Sequence, residues 1–154
     1  MYEYKCKVKR VVDGDTVDVD IDLGFNNWMM NQRVRLVGID APESRTRDLE
    51  EKEFGTAAKQ FVEELLPVGS DQVMRSYKDN TGKFGRILGD FVFGDTTLTN
   101  VMLAEHHAVP YGKENSTELH LENRRILAET TRTYDFGQKL GQARAEILRR
   151  YDRG

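Results

Sequence analysis

The sequence predicts an α+β domain, a five-stranded Greek-key barrel with about three helices and a C-terminal helical extension, in one domain spanning residues 1–154. Three observations predict it. Apolar and charged residues alternate in the opening segments, the period of strands with one buried face. Helical spacing then interrupts once, from Phe54 to Leu65, before two more strand-like runs. After Thr97 the signals are helical.

Tyr4, Cys6 and Val8 alternate with Lys5, Lys7 and Lys9 as a first strand. Asp13 and Gly14 supply a two-residue hairpin turn, and Val17, Val19, Ile21 and Leu23 then alternate with Asp18, Asp20 and Asp22. That turn sets Lys9 opposite Asp18, Lys7 opposite Asp20 and Lys5 opposite Asp22, with Val8 against Val19 and Cys6 against Ile21. A slip of two residues would preserve the complementary stripes. Residues 24–31, GFNNWMMN, break the alternation and read as a loop with apolar anchors.

Residues 33–39 form a third strand, with Arg33 and Arg35 on one face and Val34 and Leu36 on the other. Asp40 ends it, and Pro42 keeps the preceding backbone extended. Residues 44–52 are too polar for core. Phe54, Ala58, Phe61, Val62 and Leu65 make an amphipathic helix stopped by Pro67. Residues 72–77 and 84–93 are the fourth and fifth strands, joined by the turn formers DNTG. Residues 97–106 make a short helix with Leu98, Val101 and Met102 inward, and Asn115 with Glu118 marks another from about Thr117. After a break at residues 134–137, a last helix carries the apolar stripe Leu140, Ala143, Ile147 and Leu148, which would pack on the barrel or join a protein partner. Three strands, a helix, two strands and then helices is the order of an OB-type barrel.

The net charge of −3, with 32% charged residues, offers no general attraction to a polyanion, so any nucleic-acid contact must be local. The single cysteine, Cys6, excludes an intramolecular disulfide and leans towards a reducing compartment. No run approaches signal-peptide or membrane-span length, so a soluble, cytoplasmic protein without membrane contact is expected.

The chemistry gathers in RVRLVGIDAPES, residues 33–44, where cations and carboxylates crowd a strand end in a way that suits gripping a phosphate. Asp13-Gly14-Asp15-Thr16 alone is a turn. With Asp40 at another strand end, two carboxylates, one carbonyl and solvent would make an open calcium-type site. Arg35 alone reads as a surface cation; beside Asp40 and Glu43 it becomes a fork that matches phosphate and stabilises growing charge. Glu43 is either a solvated loop carboxylate or a general base for water. Arg86 is either an edge cation or a second fork on the same phosphate. His106 and His107, adjacent on a helix, point about 100 degrees apart and cannot easily share an ion; helix-end polarity accounts for them. Arg149 and Arg150 read as favourable charges at a helix C-terminus.

DGDT at 13–16, RLVGIDAPE at 35–43, EKEFG at 51–55 and KFGR at 83–86 resemble, in order and spacing, the staphylococcal nuclease (thermonuclease) family over roughly residues 11–126. The resemblance implies an OB barrel with helices that uses Ca2+ to hydrolyse DNA, and RNA as a second candidate, to products ending in 3′-phosphate. It implies Asp15, Asp40 and the Ala41 carbonyl as metal ligands and Asp13 as a nearby supporting carboxylate. Arg35 and Arg86 would bind the scissile phosphate, Glu43 would activate or orient water, and Lys83 and Tyr111 would line the nucleotide-end pocket. Phe84 departs from the best-known member's tyrosine, which should weaken binding of free nucleotides. Two rivals stand beside this reading: a barrel that binds nucleic acid or protein without catalysis, and a metal phosphoesterase for small substrates.

Overall fold

The structure, a computed structural model, describes residues 2–78, 86–133 and 149–150. Its order is β1 (Tyr2–Asp13), β2 (Thr16–Asp22), β3 (Trp28–Leu36), β4 (Ile39–Asp40), α1 (Leu49–Leu65), β5 (Asp71–Tyr77), β6 (Ile87–Phe93), β7 (Thr96–Thr97), α2 (Leu98–Ala104), β8 (Val109–Pro110) and α3 (Ser116–Thr133). Strands β3-β2-β1-β5-β6 pair in that order, all antiparallel, and β3 then meets β6 in parallel to close a five-stranded mixed barrel. The predicted OB-type barrel with three helices is therefore the observed one.

Closure is short: Val34, Arg35 and Leu36 face Ile87, Leu88 and Gly89. It needs the glycine, because a Cβ at position 89 would fall 2.9 Å from Val34 Cγ1. Val8, Val17, Val19, Val34, Leu36, Met74 and Phe91 point inward and are buried. Phe61 and Val62 of α1 and Leu98, Val101 and Met102 of α2 join that core, and removing these apolar groups from water is its main driving force. Asp90 sits buried beneath α2, accepting hydrogen bonds from the Thr99 amide and hydroxyl.

The first hairpin keeps Cys6 opposite Ile21, Lys7 opposite Asp20 and Val8 opposite Val19, as the spacing predicts. Nearer the turn it differs. Val8 to Asp13 is opposed only by Thr16 to Val19, and two bulges absorb the excess. Arg10, not Lys9, therefore faces Asp18, while Lys9 reaches Asp20 at 3.5 Å.

Four expectations are corrected. The GFNNWMMN loop is shorter: Asp22 accepts from the Gly24 amide, Phe25 and Asn26 take left-handed backbone, and β3 begins at Trp28. Its apolar residues are not buried anchors, since Phe25 is 99% exposed and Trp28, Met29 and Met30 are exposed too. The third strand ends at Leu36; Gly38, at φ 74°, turns the chain so that Ile39–Asp40 pairs with β8 instead. Helix α1 starts at Leu49, with Asp48 accepting from the amides of Glu50 and Glu51 as N-cap. Its first turn is polar or exposed, so apolar periodicity could not show it. The fifth strand begins at Ile87, and the predicted 134–148 segment, including its apolar stripe, lies outside the described residues. Among the described residues no helix is long and apolar enough to cross a membrane.

Candidate active site

An open cleft of about 370 Å3 lies where the first hairpin, the segment after β4 and the start of β6 meet. Asp13, Asp15, Arg35, Asp40, Ala41, Glu43 and Arg86 all line it, with Val12, Thr16 and Arg33 completing the walls. The side chains expected to converge from three separated segments are thus brought together.

Asp15, in the turn between β1 and β2, is 8% exposed. Its Oδ2 accepts from the Ala41 amide at 2.9 Å and pairs with Arg35 Nη1 at 3.0 Å, while Oδ1 accepts from the Thr16 hydroxyl at 3.0 Å. Burial pushes this carboxyl above its ordinary pKa. Arg35 and the two hydrogen bonds pull it down without cancelling that push, and the Asp40 charge adds to it. Gly14 makes the turn possible at this place: a Cβ there would lie 2.9 Å from Ala58 Cβ and 3.0 Å from Ala41 Cβ.

Arg35 stands between the two aspartates. Beyond Asp15, its Nη2 lies 3.6 Å from Asp40 Oδ1, and its guanidinium rests over the Tyr111 ring, 5.9 Å from the centroid. Tyr111 is exposed and stands beside Arg35 rather than in the cleft wall. Asp40 is fixed from the other direction by His120 of α3, whose Nε2 is 3.0 Å from Asp40 Oδ2.

Glu43 is exposed at the cleft edge, but its backbone is pinned. Its amide donates to Glu51 Oε1 at 3.3 Å, and the next residue, Ser44, donates through its amide to Asp13 Oδ1 at 3.2 Å and through its hydroxyl to the same oxygen. Helix α1 presses close behind, since a Cβ on Gly55 would sit 2.1 Å from the Glu43 carbonyl oxygen. Asp13 therefore supports the loop that carries Glu43. Arg86 enters from the residue before β6, across the closure seam from Arg35's strand.

Lys83 and Phe84 lie outside the described residues. The adjacent histidines follow directly on the C-terminal end of α2, where the His106 amide donates to the Leu103 carbonyl and the His107 amide to the Met102 carbonyl. Helix α2 stops at Ala104, His106 takes left-handed backbone at φ 65°, and the His107 ring packs 4.6 Å from that of Phe61. Arg150, expected as a helix-end charge, reaches Glu105 at 3.6 Å. His120 is the residue that sequence reasoning missed. A weak signal existed: His120, Asn123, Arg124 and Leu127 share one helical face, and all four line a small cavity against Pro42 and Phe54.

Among the described residues, no three histidine, cysteine, aspartate or glutamate side chains gather to hold a metal ion. Asp15 and Asp40 nonetheless meet at one cleft, and the burial that disfavours Asp15's charge is the setting that a bound cation relieves. Two carboxylates and a main-chain carbonyl are hard oxygen donors, which suit calcium or magnesium with water or phosphate completing the shell.

Residues 33–133 match the family described as staphylococcal nuclease homologue. The chain is 35% identical over 99 residues to a thermonuclease of Staphylococcus intermedius, covering 64% of this chain and 54% of that protein. It is 33% identical over 105 residues to a micrococcal nuclease of Shigella flexneri, covering 64% and 52%. It is 36% identical over 108 residues to Protein ParB of Escherichia coli, covering 70% and 49%. The chain spans about half the length of these curated relatives.

Proposed function

The chain belongs to the staphylococcal nuclease family, and on that premise we propose that it is a calcium-dependent nuclease that hydrolyses phosphodiester bonds of DNA, with RNA as a second substrate, to leave 3′-phosphate ends. The observation that carries this reading is the convergence of Asp15, Arg35, Asp40, Glu43 and Arg86 on one open cleft. Two of the relatives, the thermonuclease and the micrococcal nuclease, are nucleases by name, and every catalytic position that the resemblance implies is filled here.

The chemistry assigns each side chain a task. Arg35 and Arg86, from opposite sides of the closure seam, grip the non-bridging oxygens of one phosphate and stabilise the charge that grows as the phosphorus becomes five-coordinate. Glu43 takes a proton from a water lined up opposite the leaving oxygen. The new P–O bond forms as the P–O5′ bond breaks, leaving a 3′-phosphate and a 5′-hydroxyl whose proton comes from solvent. A calcium ion held by Asp15, Asp40 and the Ala41 carbonyl would supply further neutralisation of phosphate charge. Tyr111 steadies Arg35 through its ring face, and Lys83 is assigned to the nucleotide end.

Incubating the protein with long single-stranded DNA and with RNA, in calcium, magnesium or chelator, tests the proposal directly. Cleavage that needs calcium and leaves phosphate on the 3′ end is the expected result. Intact strands that are still bound would instead establish a binding module, and cleavage of small phosphodiesters alone would establish a small-substrate phosphoesterase.

A further inference from the structure

We infer that His120 is a positioning residue for the cation site: it fixes the orientation of Asp40 and so sets metal affinity from a helix that contributes no ligand. The inference rests on the calcium reading of the cleft. Asp40 is the weaker of the two anchored carboxylates. Asp15 is buried and accepts from Ala41, Thr16 and Arg35, whereas the Asp40 side chain is 43% exposed and lies 3.6 Å from Arg35. The close polar partner of Asp40 is His120, whose Nε2 is 3.0 Å from Oδ2 and whose side chain is only 18% exposed. An exposed carboxylate samples several rotamers, and a second oxygen held by a half-buried ring removes most of them.

The ring itself is held. Helix α3 docks through Asn123, whose Nδ2 donates to the Ala108 carbonyl at 3.1 Å. Arg124 reaches Glu50 at 3.7 Å and lies over the Phe54 ring, 5.7 Å from its centroid. Ala108 immediately precedes β8, and β8 pairs with the strand that carries Asp40. Helix and ligand strand are therefore tied twice, once through backbone and once through the histidine. The charge of the histidine is not what matters here; its reach and hydrogen bond are. Partners of this kind behind a metal ligand typically contribute about 10–100-fold to metal affinity.

Calorimetric titration of the full chain with calcium alone, well below the thermal transition, tests this. His120→Ala should weaken calcium binding by about tenfold or more, the lower end of that range. His120→Gln, whose amide nitrogen can take the place of Nε2, should recover most of the loss. Excess calcium should restore turnover of His120→Ala, because the defect is in occupancy and not in the chemistry. Asn123→Ala separates positioning from helix docking: it should lower the melting temperature, yet with Arg124 still holding α3 against Glu50 and Phe54 it should cost clearly less calcium affinity than His120→Ala. Wild-type affinity in His120→Ala, or an equal loss in Asn123→Ala, overturns the inference while leaving the calcium reading intact. A wild-type chain that binds no calcium overturns both.

Discussion

The two walls of the cleft are built differently. One, formed by Asp13 to Thr16 and Arg33 to Arg35, belongs to the continuous β1–β2–β3 ladder. The other, from Asp40 to Ser44, is irregular and is held by contacts from other elements: Asp13, Glu51, Gly55, Val109 and His120. In the ladder wall buried Asp15 and half-buried Arg35 pair with each other, which fixes them at the cost of desolvation. The irregular wall leaves Glu43 exposed and fixes its backbone instead, so that solvent can reach the carboxylate. Pre-organisation is achieved on one side by side-chain pairing and on the other by main-chain anchoring.

The largest test of that division removes one of the proposed reacting groups from each wall. Arg35→Ala and Glu43→Gln should each lower turnover of single-stranded DNA by roughly 100- to 10,000-fold with circular dichroism unchanged. Near-wild-type turnover in either variant would show that its wall is not part of the chemistry.

Next comes the anchoring of the irregular wall. Gly55→Ala drives a methyl group against the Glu43 carbonyl, 2.1 Å away, so α1 or the loop must shift. A loss of about 1–3 kcal/mol in denaturant unfolding is expected for such overpacking, with a fall in turnover although no reacting side chain is changed. Stability lost without any loss of turnover would mean that the loop moves with the helix and that Glu43 is not held as described.

The smallest effect concerns the price of pairing in the ladder wall. Asp15 has a native pKa above its ordinary value because burial outweighs Arg35. Between 3.8, its unfolded value, and that higher native value, the folded state holds a proton that the unfolded state has lost, so stability falls as pH rises through this window and stays lowered at neutral pH. Asp15→Asn in chelator should therefore melt higher than wild type at pH 7, with the gain shrinking as pH falls towards 3.8. A variant that melts lower at neutral pH would show that the Arg35 pair outweighs desolvation.

Legibility in the sequence followed the same division. Alternation of valines with lysines and aspartates gave the hairpin, the burial face and most of the register, because period two is a local property. The bulges that displaced Lys9 from Asp18 were invisible, since they depend on how Val8 to Asp13 fits the shorter opposing run. Asp15, Arg35, Asp40, Glu43 and Arg86 could be named as candidates from motif and charge, yet nothing local says that Arg86 reaches Arg35's cleft. His120 lies eighty positions from Asp40, and no periodicity links a helix residue to a carboxylate so far away. The two-residue strands β4 and β8, which hold Asp40 in place, are too short to show any pattern.

The parallel seam between β3 and β6 carries a last consequence. Arg35 lies on one lip of this joint and Arg86 borders the other, while the long antiparallel ladders and the helices depend on it little. Parting of those few rungs would draw the two guanidinium forks away from each other and leave most of the secondary structure in place. Heating should therefore silence the cleft before it melts the barrel, with turnover disappearing at temperatures where far-ultraviolet circular dichroism still reads a folded protein.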